Sequence, residues 1–338
     1  MKEPETLLIS GRDVRALLPM NECIAVMEDA LRSVTDGTSV LPLRTVMRLD
    51  GTPNAFAAMP AIVGRGAGAS LGAKVITVFP GNDATPYDAH IGVVLLFDAE
   101  HGKLLAIADA SSITAIRTAA VSGLATRLLA REDATELALL GAGVLARTHL
   151  DAVRCVRNIR RVRVWSRSGD RAREFATRGR NEFDVEIVVA GSAREAVTGA
   201  DVICTITSAR TPVLEGAWLA PGAHVNAVGA SLSTARELDT AAVVRSRLFV
   251  DRRESALSEA GDFLIPRGEG AVTDAHILGE LGDLLAGGVQ GRTTRDDVTL
   301  FKSLGLAVED VAALRHIHTK AITTGAGTRV ALGGIRDA

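Results

Sequence analysis

Two groups of residues carry chemical meaning before any element is assigned. The first is the hexapeptide Gly-Ala-Gly-Val-Leu-Ala at 141–146, which follows the apolar run 135–140. Gly141 permits a tight turn, Gly143 lets the backbone approach a phosphate, and Ala146 stands where a third small residue lets a helix pack on its strand. A strand, a glycine turn and a helix in that order offer backbone N–H groups and a positive helix end to a dinucleotide pyrophosphate. Gly141, Ala142, Gly143, Val144 and Leu145 are therefore expected to hold a nucleotide, the alternative being a plain structural turn. The second group is cationic: Arg117 in the small, apolar helical run 113–120, Lys74 in the apolar run 72–79, and Arg44 between Leu43 and Thr45. A buried, unpaired charge is expensive, so each either pairs within the fold or faces an anion. Arg117 suits a bidentate grip on a substrate carboxylate, with pairing to a structural acid such as Asp109 as the alternative. Lys74 either snorkels or meets an anion in a site.

Three further positions extend this chemistry. His90, just before the apolar run 91–98, is either a proton donor, a site wall or a structural residue at a strand start. Ser231 follows Gly229 and Ala230 beyond the run 224–228, where α/β sheets place ligands; it either touches substrate or nicotinamide or caps the next turn. The run Arg161–Trp165 reads as the strand after the glycine turn, and its end normally meets the adenosine ribose. An acid there selects NAD; here Ser166, Arg167 and Ser168 follow, and a hydroxyl beside a guanidinium suits a 2′-phosphate. NADP is expected over NAD, the alternative being a solvated Arg167 and either cofactor.

The elements that must position these groups follow from length and pattern. A chain of 338 residues is long enough for about two domains. It is 47 % apolar and 3 % aromatic, with many Ala, Val, Leu and Gly, as in α/β enzymes. A net charge of −2 with dispersed basic residues points to neither nucleic acid nor a membrane surface. Cys23, Cys155 and Cys204 are far apart, which supports neither a disulfide framework nor a metal site, and His316 and His318 face apart on an expected helix. No run reaches membrane-spanning length and the N-terminus lacks a signal peptide's regions, so a soluble cytoplasmic protein is expected.

Residues 6–40 read as a short strand and a helix over 19–35. Short alternating runs between 43 and 108, broken by glycine, proline and Asn-Asp turns, predict an antiparallel or mixed sheet. A helix follows over 112–131. From 135 strands and helices alternate, which predicts a parallel, doubly wound Rossmann-type sheet beside an α+β domain. The expected division is 1–118 with 316–338 as a substrate-binding and dimerisation domain, and 119–315 as the dinucleotide-binding domain. A late helix over 309–324 is expected to return to the first domain, and the tail after Gly325 to fray.

The segments Thr-Ala-Ile-Arg-Thr-Ala-Ala (114–120), Leu-Gly-Ala-Gly-Val-Leu-Ala (140–146), Val-Asn-Ala-Val-Gly-Ala-Ser (225–231), Arg-Glu-Leu-Asp (236–239), Glu-Ala-Gly-Asp (259–262) and Thr-Leu-Phe-Lys-Ser-Leu-Gly-Leu-Ala (299–307) together resemble the ornithine cyclodeaminase/μ-crystallin family. They occur in the family's order and cover most of the chain from Arg44 to Asp310. The resemblance implies a homodimer whose first domain holds substrate and subunit contacts. It implies that Arg44, Lys74 and Arg117 bind a carboxylate, that Leu304 lies on the substrate side, and that Arg117 also meets the cofactor. It further implies that Thr207, Asn226, Val228 and Ser303 line the nicotinamide side.

One departure bears on the reaction. Family members that cyclise ornithine carry an aspartate for the substrate amine where this chain has Ser231, and without that carboxylate recruiting a cationic amine is harder. The ketimine-reductase branch resembles this chain at 229–231 and 165–167. The expected activity is thus NAD(P)H-dependent reduction of an α-imino acid to an amino acid, with Arg117, Lys74 and Arg44 fixing the carboxylate and Lys74 or His90 holding the proton. The alternatives are an ornithine or lysine cyclodeaminase, an alanine dehydrogenase-like oxidoreductase, and a protein that chiefly binds a small acid.

Overall fold

The computed structural model describes residues 5–334. In chain order its strands are β1 Glu5–Ile9, β2 Thr45–Arg48, β3 Ala55–Val63, β4 Ser70–Val78, β5 His90–Asp98, β6 Leu104–Asp109, β7 Glu136–Leu140, β8 Arg161–Trp165, β9 Glu186–Val189, β10 Val202–Thr205, β11 His224–Ala227, β12 Ser246–Val250, β13 Ile277–Glu280, β14 Val298–Lys302 and β15 Thr328–Ala331. The chain divides into two compact units, Met1–Arg117 with Leu306–Ala338, and Thr118–Gly305.

The first unit is built on the sheet β15-β1-β6-β5-β4-β3-β2. Its neighbours pair antiparallel except β1 with β6. Alternation along β3 and β4 sends every second side chain to one buried face, as the period of two requires. The helix Ala307–Thr324 packs on that face: a Cβ added to Gly72 of β4 would lie 2.8 Å from Val311 Cγ2. This helix corrects the expected division. Residues 306–315, assigned above to the dinucleotide domain, lie in the first unit because Ala307–Thr324 is a single helix whose apolar length is buried there. The tail also departs from expectation, since β15 pairs antiparallel with β1 instead of fraying. Gly325, at φ +73°, ends the helix in the left-handed region and lets the chain turn back toward that strand.

The second unit holds a parallel sheet in the order β13-β12-β14-β11-β10-β7-β8-β9. Strand order reverses between β7 and β10, which defines the switch point of a doubly wound sheet. Two strands beyond those expected, β13 and β14, complete it. β14 lies between β11 and β12, and all five of its residues are buried, so it shows no alternation to mark it as a strand. Among the described residues, no helix is long and apolar enough to cross a membrane.

Candidate active site

The cationic group of the first unit is assembled by the register of β4 and the first turn of the Ala307–Thr324 helix. Ser70, Gly72, Lys74 and Ile76 share the buried face of β4, so Lys74 takes a core position at 2 % exposure. It does not snorkel. Its Nζ lies 2.8 Å from Asp310 Oδ2. Arg117, on the helix Ala110–Leu129, donates from Nε to Asp310 Oδ1 at 3.0 Å and from Nη1 to Glu309 Oε2 at 2.8 Å. Asp109, the partner considered for Arg117, instead accepts the Ser112 N–H at 2.8 Å. Glu309 and Asp310 are fully buried and sit in a helix's first turn, where the positive end of the dipole favours them.

The charges act on one another strongly. Burial pushes the Asp310 carboxyl up, but Arg117 and Lys74 outweigh it and hold the group below the usual carboxylate range. Burial draws the Lys74 ammonium down to about 8 against the pull of Asp310, with the Arg117 charge adding to the fall. His90 opens β5 opposite Val78 and is an exposed residue. Desolvation first, then the charges of Lys74 and Arg117, lower its imidazole below the usual value, while Asp88 opposes them. Arg44 is half-buried just before β2 and adds to the depression of both Lys74 and His90. Lys74 and Arg117 thus share the two buried acids, Asp310 lying between them and Glu309 pairing with Arg117. The acids themselves were open to sequence reasoning: two adjacent carboxylates inside the apolar run 304–314 are a signal for buried ion pairs.

In the second unit the glycine turn has the geometry its spacing implies. Gly141 follows β7 at φ +120°, and a Cβ there would stand 2.7 Å from the Ile206 carbonyl oxygen. Gly143 caps the helix Val144–Val156 with no side-chain hydrogen bond. A Cβ added to Gly143 would meet nothing within 4 Å, and Val144 is 69 % exposed. The helix end is therefore open to an anion, while Ala146 is buried against the sheet. These residues fit a dinucleotide pyrophosphate. Beyond β8, Ser166 is half-buried and Arg167 exposed, whereas Ser168 caps the helix Gly169–Glu182 by accepting the Arg171 N–H.

The remaining expected positions divide. Thr207, Val228 and Ser231 lie beyond the carboxyl ends of β10 and β11, with Ser231 exposed. Asn226 is fully buried, its amide donating to Thr126 Oγ1 at 2.9 Å. Ser303 is buried after β14, its N–H donating to the Ala227 carbonyl at 2.9 Å. Leu304 is buried in the second unit's apolar core. Among the described residues, no group of three or more His, Cys, Asp and Glu is placed to hold a metal ion.

Fold and site define an α/β protein with a Rossmann-type unit and a second, α+β unit. The chain matches the model of the ornithine cyclodeaminase/mu-crystallin family over residues 4–325 and belongs to that family. It is 37 % identical over 325 residues to the Delta(1)-pyrroline-2-carboxylate reductase of Bacillus cereus, covering 96 % of this chain and 99 % of that one. It is 40 % identical over 283 residues to the ketimine reductase mu-crystallin of Mus musculus, covering 84 % of this chain and 86 % of that one. The structure of Thermococcus litoralis Delta(1)-pyrroline-2-carboxylate reductase in complex with NADH and L-proline is similar at a TM-score of 0.93 and 38 % identity, over 96 % of this chain and 100 % of that one.

Proposed function

We propose that the protein reduces the C=N bond of a cyclic α-imino acid with NAD(P)H to give the amino acid, and catalyses the reverse oxidation. The observation that carries this reading is the likeness, along almost the whole chain, to a reductase whose structure holds NADH and L-proline. The bound nicotinamide supplies the hydride; the protein's task is to bind, orient and hold a proton. Arg117, with Lys74 and Arg44, grips the substrate carboxylate and so fixes the direction of the imine carbon. Asp310 and Glu309 orient the two buried cations. Between the two candidates for the proton on the imine nitrogen, burial and the Asp310 pair favour Lys74, whose ammonium persists at neutral pH. His90 is lowered and serves as a wall of the same pocket. Leu304 and Ser231 complete the reading, Leu304 as a substrate-side residue and Ser231 as the position where a cyclodeaminase needs an acid.

On the nucleotide side, Gly141, Ala142, Gly143, Val144 and Leu145 hold the pyrophosphate. Thr207, Val228 and the backbone at Asn226 and Ser303 serve the nicotinamide half. Exposed Arg167 beside Ser166 supports NADP over NAD as the preferred donor. The Arg167→Asp variant is expected to move the ratio of kcat/KM for NADPH over NADH toward NADH by at least tenfold; an unmoved ratio overturns the preference. The exposed apolar side chains Phe56, Ile62 and Ile91 of the first unit's sheet support the homodimer expected above.

The reading is tested by following NADH and NADPH oxidation with five- and six-membered cyclic α-imino acids, beside an ammonia assay on ornithine. Nucleotide oxidation with an imino acid is the expected result. Ammonia release from ornithine with no imine reduction would overturn it.

A further inference from the structure

Three segments far apart in sequence, 236–239, 259–262 and 299–307, meet in the second unit around one buried carboxylate. Glu237 is fully buried. Its Oε1 accepts the N–H and the hydroxyl of Thr207, each at 2.6 Å, and its Oε2 accepts the Thr205 hydroxyl at 2.8 Å and the Gly229 N–H at 2.7 Å. One side chain thereby ties the chain leaving β10 to the chain leaving β11. Gly229 must be glycine for this, since a Cβ would lie 2.0 Å from the Thr207 carbonyl oxygen. Glu237 is itself anchored. Asp262 Oδ1 accepts the Glu237 and Leu238 N–H groups at 2.8 and 3.0 Å, and Asp262 Oδ2 lies 3.0 Å from Lys302 Nζ at the end of β14.

The location of this brace gives it a task. In a doubly wound sheet a dinucleotide lies across the carboxyl ends of the strands at the switch point, its adenosine toward the second strand of the mononucleotide unit. That second strand is β8, so the nicotinamide half runs the other way, over β10 and β11. The segment that Glu237 holds is also the segment the glycine turn abuts, through Gly141 and Ile206. Buried carboxylates with four donors are costly to assemble and rigid once satisfied. We infer that Glu237, anchored by Asp262 and Lys302, is a positioning residue for the nicotinamide half of the nucleotide, and contributes little to the adenosine half. This rests on the nucleotide-binding part of the reading above, and not on the identity of the imine.

The test compares dissociation constants of NADH and of ADP-ribose, measured on the full chain by fluorescence and by calorimetry, with circular dichroism to establish folding. In Glu237→Gln an amide N–H₂ replaces one acceptor and faces donors. NADH is expected to bind at least tenfold more weakly, with ADP-ribose changed by less than twofold. A brace that serves only the fold lowers the melting temperature and moves both ligands together, or moves neither, and either result overturns the proposal. Thr205→Val, which removes one buried hydroxyl, is the milder variant if Glu237→Gln does not fold. It is expected to weaken NADH two- to fivefold and to leave ADP-ribose unchanged, and an unchanged NADH-to-ADP-ribose ratio there overturns the proposal equally. Turnover with imino acids is measured separately. A wild-type protein that shows the binding pattern but reduces no imine refutes the proposed activity and leaves the brace standing, whereas one that binds no nucleotide refutes both.

Discussion

Replacing Arg117 with lysine is expected to lower kcat/KM for the imino acid by about a hundredfold, equivalent to ~2.7 kcal/mol of transition-state stabilisation, while the NADH dissociation constant changes by less than twofold. The choice of lysine follows from the ion pairs. Arg117→Ala removes a buried cation from Glu309 and Asp310, and stripping one partner from a buried pair costs on the order of 3–5 kcal/mol of stability. Lost folding would then imitate lost catalysis. Lysine keeps the charge but not the planar fork that meets two carboxylate oxygens at once. The loss is therefore expected in both KM and kcat, because a substrate held by one contact swings away from the productive direction. Steady-state kinetics beside a nucleotide titration decide it. An unchanged kcat/KM would remove Arg117 from the substrate grip.

The second large effect concerns the proton. Lys74→Met is expected to reduce kcat for imine reduction by roughly a thousandfold, within the ~10²–10⁴ range of a positioned general acid. In the wild type, kcat/KM for reduction should be level at neutral pH and fall as pH rises through about 8, the value to which burial draws the Lys74 ammonium. The direction follows from which form is active: the acid is the ammonium, and raising the pH removes it. Asp310 favours that ammonium, so Asp310→Asn should move the falling limb to lower pH. A limb that stays in place in this variant belongs to the substrate's own imine and would strip Lys74 of the role. The same depression bears on stability. The folded chain gives up this proton at about 8, below the usual 10.5, so it binds fewer protons than the unfolded chain between those values. Burying Lys74 is therefore costly below about 8, and the cost is relieved as pH rises toward 10.5.

Much of this arrangement was legible in local pattern. The glycine turn needed only its neighbours on either side, because turn, phosphate approach and helix entry are set by backbone conformation within a few residues. The apolar run 72–79 already marked Lys74 as a cation in core-like surroundings, with snorkelling and an anion in a site both left open. Other features lay out of reach. Nothing near Arg117 in sequence announces Glu309 and Asp310, which lie 192 and 193 residues away. The expected boundary at 316 failed because a helix's side of a domain division depends on which sheet buries it. β14 went unread because a strand buried on both faces loses the alternation that identifies it.

By itself the sequence determined the kinds of group present and their local geometry: a helix entry open to a pyrophosphate, and cations in apolar surroundings. These depend on short-range sterics and on periodicities of two and 3.6, which a chain carries wherever it folds. Only the tertiary structure decided which charges meet. It set Asp310 between Lys74 and Arg117, and it closed Glu237 over the ends of two strands. Those pairings are settled by strand order and helix docking, and their strength comes from burial, which no residue has until the whole chain has folded around it.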